Sequence, residues 1–213
     1  MLLVFMNYNF LKLFWMLAKT KFWFFFNLQG IQFKILKLIN LKECNSITEF
    51  PELCAPDLET LNLSFCKKLV MVQESVGFLD KLWKWDLAFY DSLQNLPNNL
   101  WLKSLEEFNL SGCFKLEKFL NIHPEMKRLK NLDLSLSGIR GLPSSIGYLT
   151  ALESLDIQNC KKLRQILRLP QFLKRVEASN CPSLDAQSSS RLLNQVFFFF
   201  KLYIYIYITF FLL

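Results

Sequence analysis

Six cysteines and a single histidine are the residues of this chain best suited to chemistry. Thiolates and imidazoles bind zinc and serve as nucleophiles and bases, and cysteines in pairs form disulfides. Each use demands its own spacing. No C-x-x-C occurs, so a zinc knuckle or thioredoxin-type motif has no support. Cys44, Cys66, Cys113, Cys160 and Cys181 recur instead at long intervals that are one or two steps of a common period, with Cys54 out of register. Metal ligands must surround a point, whereas ligands spaced one per rung make a line. The column therefore reads as a buried ladder of small side chains with weak thiol donors, although rungs about 4.8 Å apart also approach disulfide range. His123 lies in Asn121-Ile122-His123-Pro124 with no nucleophile motif beside it, and reads as a loop histidine. No G-x-x-x-x-G-K-[ST] is present to cradle phosphates. The expectation is a protein that is not an enzyme and has no cofactor and no metal.

The intervals point to the element that must carry the column. The pattern L-x-x-L-x-L-x-x-C appears as Leu58-Leu61-Leu63-Cys66, Leu105-Phe108-Leu110-Cys113 and Leu152-Leu155-Ile157-Cys160. Weaker copies fall in register at Leu36, Leu82, Leu129 and Leu173, with Tyr90 and Ser137 in the cysteine position of two of them. Seven copies with steps of 21 to 24 residues match a leucine-rich repeat. The L-x-L alternation puts both apolar side chains on one face of a short strand. One turn cannot bury that stripe alone, so the turns stack into a parallel sheet. The spacing predicts strands over 39–41, 61–63, 85–87, 108–110, 132–134, 155–157 and 176–178. The Pro residues that follow the cysteine position, such as Pro97, Pro143 and Pro170, suit an irregular return leg, since Pro cannot donate to a ladder. The predicted fold is an α/β leucine-rich-repeat solenoid of about seven repeats, with a curved parallel sheet, an irregular or 3₁₀ convex side, and apolar non-repeat tails.

Such a solenoid offers its outward strand positions as a ligand surface. They form three columns. The middle one is Asn40, Asn62, Asp86, Asn109, Asp133, Asp156 and Glu177; Thr60, Lys84, Glu107 and Arg175 belong to the column before it, and Ser64, Ser111, Ser135 and Gln158 to the column after it. The candidate protein-binding residues on this concave face are Asn62, Lys84, Asp86, Glu107, Asn109, Asp133, Asp156, Gln158, Arg175 and Glu177. The alternative is a solvated face whose Asn and Asp merely suit the repeat. The middle column leans acidic, which fits a basic protein partner better than a nucleic acid.

The formal charge of +7 invites the opposite conclusion until it is located. Five of the 25 basic residues and none of the 18 acidic ones lie in residues 1–30 and 186–213, leaving 20 against 18 between them. Much of the excess belongs to the ends, which argues against a nucleic-acid partner. The predicted organisation is an apolar, helix-compatible segment over 1–32, the repeat domain over 33–185, a linker over 186–195 around Gln187-Ser188-Ser189-Ser190, and an apolar low-complexity tail over 196–213. The run Phe10 to Ala18, broken by Lys12, lacks the flanks of a signal peptide. The tail has 18 residues and one charge, Lys201, which makes it a borderline membrane span. Alternating Tyr-Ile is also what an alternating T-A nucleotide repeat encodes, so translated non-coding sequence is the competing reading.

Residues of about 33–185 resemble the repeat region of plant intracellular disease-resistance receptors, in which a Toll/interleukin-receptor domain and a nucleotide-binding domain precede leucine-rich repeats. The resemblance is carried by Leu110-Ser111-Gly112-Cys113, Leu142-Pro143-Ser144-Ser145-Ile146-Gly147-Tyr148-Leu149 and Ala178-Ser179-Asn180-Cys181-Pro182-Ser183-Leu184. It implies a cytoplasmic protein-recognition module of an innate immune receptor, or a truncated relative, with a pathogen protein, a host protein or other receptor domains as partners. The alternatives are a repeat protein held at a membrane through 196–213 and a non-functional gene fragment.

Overall fold

The computed structural model describes residues 33–195 apart from residues 46, 51 and 99. The chain winds through β1 (Leu38–Asn40), β2 (Glu49–Phe50), β3 (Thr60–Asn62), β4 (Met71–Val72), β5 (Lys84–Asp86), β6 (Glu107–Asn109), β7 (Asn131–Asp133), β8 (Gly141–Leu142), β9 (Ser154–Asp156), β10 (Gln165–Ile166) and β11 (Arg175–Glu177). One strand of each repeat enters a seven-stranded sheet in the order β1-β3-β5-β6-β7-β9-β11. Every neighbouring pair is parallel and in the same register, as in Leu61 opposite Trp85 and Phe108 opposite Leu132. The return legs carry two short parallel pairs, β2–β4 and β8–β10, and 3₁₀ turns over Glu74–Phe78 and Ser144–Tyr148. This is a leucine-rich-repeat solenoid.

The strands begin and end one residue earlier than the pattern predicts. The residue after each strand still donates to the next rung: Leu63 N–H to the Asp86 carbonyl at 2.9 Å and Leu110 N–H to the Asp133 carbonyl at 2.8 Å. Its own carbonyl, however, turns out of the ladder to close the bend, as when Leu110 accepts from Cys113 N–H at 3.3 Å. Two inward rows form the core. Ile39, Leu61, Trp85, Phe108, Leu132 and Leu155 make one, and Leu41, Leu63, Leu87, Leu110, Leu134 and Ile157 the other; all are buried. A fully buried side chain of this size contributes about 1.5–3 kcal/mol, and only stacking delivers that burial. At the last rung, Val176 and Ala178 are only half-buried.

Residues 186–195, expected as a linker, are helical. Asp185 starts the helix by accepting Ser188 N–H at 2.6 Å, and its interactions with Ser188 hold the Asp185 carboxyl below its usual range. The Ser188 hydroxyl, fully buried, accepts Ile166 N–H at 2.8 Å, and Arg191 donates to the Ile166 carbonyl at 2.7 Å. The helix thus covers β10, the last strand of the return-leg stack. No helix among the described residues is long and apolar enough to cross a membrane. The segments 1–32 and 196–213 lie outside the described residues.

Candidate protein-recognition face

The middle outward column of the sheet has a structural duty. In six successive turns its Asn or Asp Oδ1 accepts the backbone N–H two residues on: Lys42 to Asn40 at 3.1 Å, Ser64 to Asn62 at 2.9 Å, Ala88 to Asp86 at 3.0 Å, Ser111 to Asn109 at 3.0 Å, Ser135 to Asp133 at 2.9 Å and Gln158 to Asp156 at 2.9 Å. These are Asx turns, which bend the chain as it leaves the strand. The bend explains a departure from the expected face. Ser64 and Ser111 of the third column, and Ala88 at the same position of the β5 repeat, are buried rather than outward, because the turn folds them under the following residue.

That following residue is the most unusual in the repeat. Glu43, Phe65, Phe89, Gly112, Leu136, Asn159 and Asn180 occupy equivalent positions, and all have φ between 57° and 70°. Glycine and asparagine adopt this left-handed conformation readily, and Phe and Leu do so at a cost. The Phe65 and Phe89 rings stack with centroids 4.8 Å apart, and Phe89 then lies over Gly112, where a Cβ would meet its Cδ1 at 2.7 Å. Nothing in the L-x-L periodicity announces this row, since its residue types contradict the usual preference.

The candidate residues divide between two parts of the face. Glu107, Asn109, Asp133, Asp156, Arg175 and Glu177 come together, with Asn131, Ser154, Phe108 and Leu132, around a cleft of about 390 Å³ that spans β6, β7, β9 and β11. Asn62, Lys84 and Asp86 lie on the preceding rungs, β3 and β5, and Gln158 stands at the rim, 3.4 Å from Asp156 Oδ2. Four carboxylates face one guanidinium in the cleft. Arg175 is held by Glu177 at 2.9 Å, and Lys84 reaches Glu107 from the neighbouring rung at 2.7 Å. Asp133 and Asp156 have no cationic partner within ion-pair distance among the described residues. Burial raises the Asp156 carboxyl above its usual pKa, and the nearby Asp133 and Glu177 charges add to the rise. The Gln158 N–H and the Arg175 charge oppose that rise, so the cleft is an acidic surface whose charge is only partly answered.

The cysteine column is internal to the fold. Cys66 Sγ donates to the Leu41 carbonyl at 3.0 Å, Cys113 to Leu87 at 3.3 Å, Cys160 to Leu134 at 3.0 Å and Cys181 to Ile157 at 3.0 Å. Each thiol meets the carbonyl that left the ladder one turn earlier. Burial pushes the thiols of Cys66 and Cys113 up to about 12 and that of Cys160 up to about 11, so they stay protonated at neutral pH. Cys54, Cys66, Cys113, Cys160 and Cys181 take part in no disulfide. Among the described residues no three His, Cys, Asp or Glu side chains converge as metal ligands. Tyr90 breaks the ladder. Its hydroxyl is buried with no hydrogen-bond partner, as is Nε1 of Trp85 in the same repeat. His123 stacks on Trp101 at 4.3 Å and accepts Glu125 N–H at Nδ1, 3.3 Å away.

About half of the chain aligns with known proteins. Over 115 residues, 52% of this chain and 11% of the relative, it is 36% identical to disease resistance protein RML1A of Arabidopsis thaliana. The match to TMV resistance protein N of Nicotiana glutinosa is 36% over 112 residues, 52% of this chain and 10% of the relative. Disease resistance protein RPS6 of Arabidopsis thaliana is 34% identical over 113 residues, 46% of this chain and 10% of its own length. The chain is similar to part of plant disease-resistance proteins. It spans about a tenth of the length of the curated relatives it matches. No family model matches it.

Proposed function

We propose that this chain is a non-enzymatic recognition module of a plant innate immune receptor or of a truncated relative, and that its sheet face receives a protein segment rich in cationic side chains. The observation that carries the reading is the acidic cleft across β6, β7, β9 and β11, where four carboxylates face one guanidinium and Asp133 and Asp156 form no ion pair among the described residues. Such a face gains affinity and selectivity from a partner of opposite charge. A cytoplasmic location belongs to the same reading and is supported by the thiols of Cys54, Cys66, Cys113, Cys160 and Cys181, which take part in no disulfide, the ordinary state in a reducing compartment. The absence of catalysis is supported by thiols that stay protonated and by a single histidine engaged by its neighbours.

The test is titration of the full chain with a fluorescent arginine-rich peptide, read by anisotropy. The double substitution Asp133→Asn/Asp156→Asn leaves both Oδ1 acceptors in place and removes two charges. It should weaken binding about tenfold or more, the loss of roughly 1.4 kcal/mol. Unchanged affinity would mean that the cleft does not receive the cations.

A further inference from the structure

The stretches of chain that follow the cysteine position are basic, whereas the sheet face, with Lys84 and Arg175 its cations, is acidic. Between residues 67 and 168, the segments just after the cysteine position carry nine cations and three acids. One of those acids, Glu117, is shared by Arg140 and Lys162 at 2.9 Å each. Lys67, Lys68, Lys115 and Lys161 are exposed and make no ion pair among the described residues. Because every turn repeats one path, the first two residues after the cysteine position are Lys67 and Lys68, Asp91 and Ser92, Phe114 and Lys115, Gly138 and Ile139, and Lys161 and Lys162 on five successive turns, so lysines stand on the first, third and fifth of them. They form one flank of the stack, between the sheet and the return legs.

This flank also holds apolar surface that folding does not bury. Phe114 is 48% exposed and Phe89 36% exposed. Phe65 and Phe89, on the rim where the flank meets the sheet, keep the left-handed backbone that Gly112, Asn159 and Asn180 adopt without strain. Lys42 Nζ stands 5.4 Å over the Phe65 ring. Phe65, half-buried, and Phe89, exposed, keep this strained backbone, and Phe114 is exposed with Lys115 next to it in the chain; each of these features works against stability.

We propose that this flank docks on an anionic phospholipid surface, with the lysines at the headgroups and the phenylalanines at the acyl boundary. A bilayer answers both features at once. It offers a plane of negative charge to long, independent lysine side chains, and an apolar layer just beneath for the rings. Four to eight clustered cations is the number at which anionic lipids are held. The flank is separate from the acidic cleft, so a protein ligand on the sheet face and a lipid surface on the flank are compatible.

The experiment is vesicle flotation of the full chain on phosphatidylcholine with and without phosphatidylserine. The variant Lys67→Glu/Lys68→Glu/Lys115→Glu/Lys161→Glu is compared with Lys34→Glu/Lys103→Glu/Lys127→Glu/Arg128→Glu. The second set changes net charge equally at exposed positions away from the flank, which controls for the basic, apolar ends of the chain. The flank variant should lose about tenfold or more of the phosphatidylserine-dependent partition, the control about threefold at most. Phe65→Asn/Phe89→Asn, which suits the left-handed backbone, should lower partition while circular dichroism shows the fold retained. Equal losses in both charge variants, or no loss in either, overturn the proposal. So does binding by soluble polyglutamate that the flank variant abolishes while vesicle partition is unchanged, which would assign the flank to an acidic protein.

Discussion

The Cys66 thiol donates to the Leu41 carbonyl at 3.0 Å, one full turn back along the stack. That carbonyl also accepts Cys44 N–H at 3.1 Å, so it is the joint between the strand of one repeat and the bend of the next. Removing the thiol leaves this buried acceptor short of a partner. Cys66→Ala should therefore cost about 1–3 kcal/mol, and Cys66→Ser, which restores a donor, clearly less. Urea denaturation of the three proteins decides it. Equal losses in Ala and Ser would show that volume, and not the hydrogen bond, matters at this position.

The same thiols set an alkaline limit. Their ordinary value is 9.0, and burial raises Cys66 and Cys113 to about 12 and Cys160 to about 11. Groups raised in the fold contribute stability that is complete below the unfolded value and is lost as pH rises toward the folded one. Between pH 9 and 11 the unfolded chain releases three protons that the folded chain keeps. Stability should fall by about 1.4 kcal/mol per pH unit for each thiol. Replacing all three by Ser should flatten the slope of denaturation midpoint against pH in this window, and an unchanged slope would place the titration elsewhere.

Tyr90 occupies the cysteine position of its repeat, and its buried hydroxyl finds no partner. Tyr90→Phe removes that unpaired group and keeps the ring. It should stabilise the protein, by about 1 kcal/mol or more. A loss of stability would mean that the hydroxyl is satisfied in solution.

Adjacent residues of one turn should respond in three different ways. Leu110 is fully buried, and Leu110→Ala should cost about 2–5 kcal/mol. Asn109 holds the Asx turn through Ser111 N–H at 3.0 Å, and Asn109→Ala should cost about 1 kcal/mol, in line with other local side-chain caps. Ser111 is buried by the turn, but its hydroxyl carries no bond in it, and Ser111→Ala should stay within about 0.5 kcal/mol. Thermal unfolding of the three variants ranks them, and a Ser111 loss as large as that of Leu110 would contradict the inward row.

These cases also mark what the sequence could reveal. Leu61, Leu110 and Leu155 were legible as strand centres or neighbours because alternation and a repeat step leave little freedom. The cysteine column was legible as a line for the same reason. The one-residue displacement of the strands was not, since it depends on where the Leu110 carbonyl turns. The left-handed row was hidden because Phe65, Phe89 and Leu136 are poor advertisements for that backbone. The cleft was legible only as a column of acidic residues. Which rung is left unneutralised depends on cross-rung pairs such as Lys84 with Glu107, and repeat spacing does not say where a lysine side chain reaches. The serine run before residue 191 read as a linker because its cap, Asp185 with Ser188, is a pairing three residues apart that the composition obscured.

The helical residues 186–195 give the last prediction. Without them the Ile166 N–H and carbonyl lose Ser188 and Arg191, and the β8–β10 pair becomes an open edge beside the half-buried Val176 and Ala178. Bare edges recruit other chains, and a terminal repeat without a cap is the weakest in a stack. A chain of residues 33–185 should therefore self-associate at concentrations where 33–195 does not, as read by size-exclusion chromatography at matched concentration. Within 33–195, Ser188→Ala leaves a buried N–H unpaired and should cost about 1–3 kcal/mol, moving the protein part of the way toward the shorter chain. If 33–185 stays monodisperse and unfolds with the same midpoint as 33–195, the helix is not a cap.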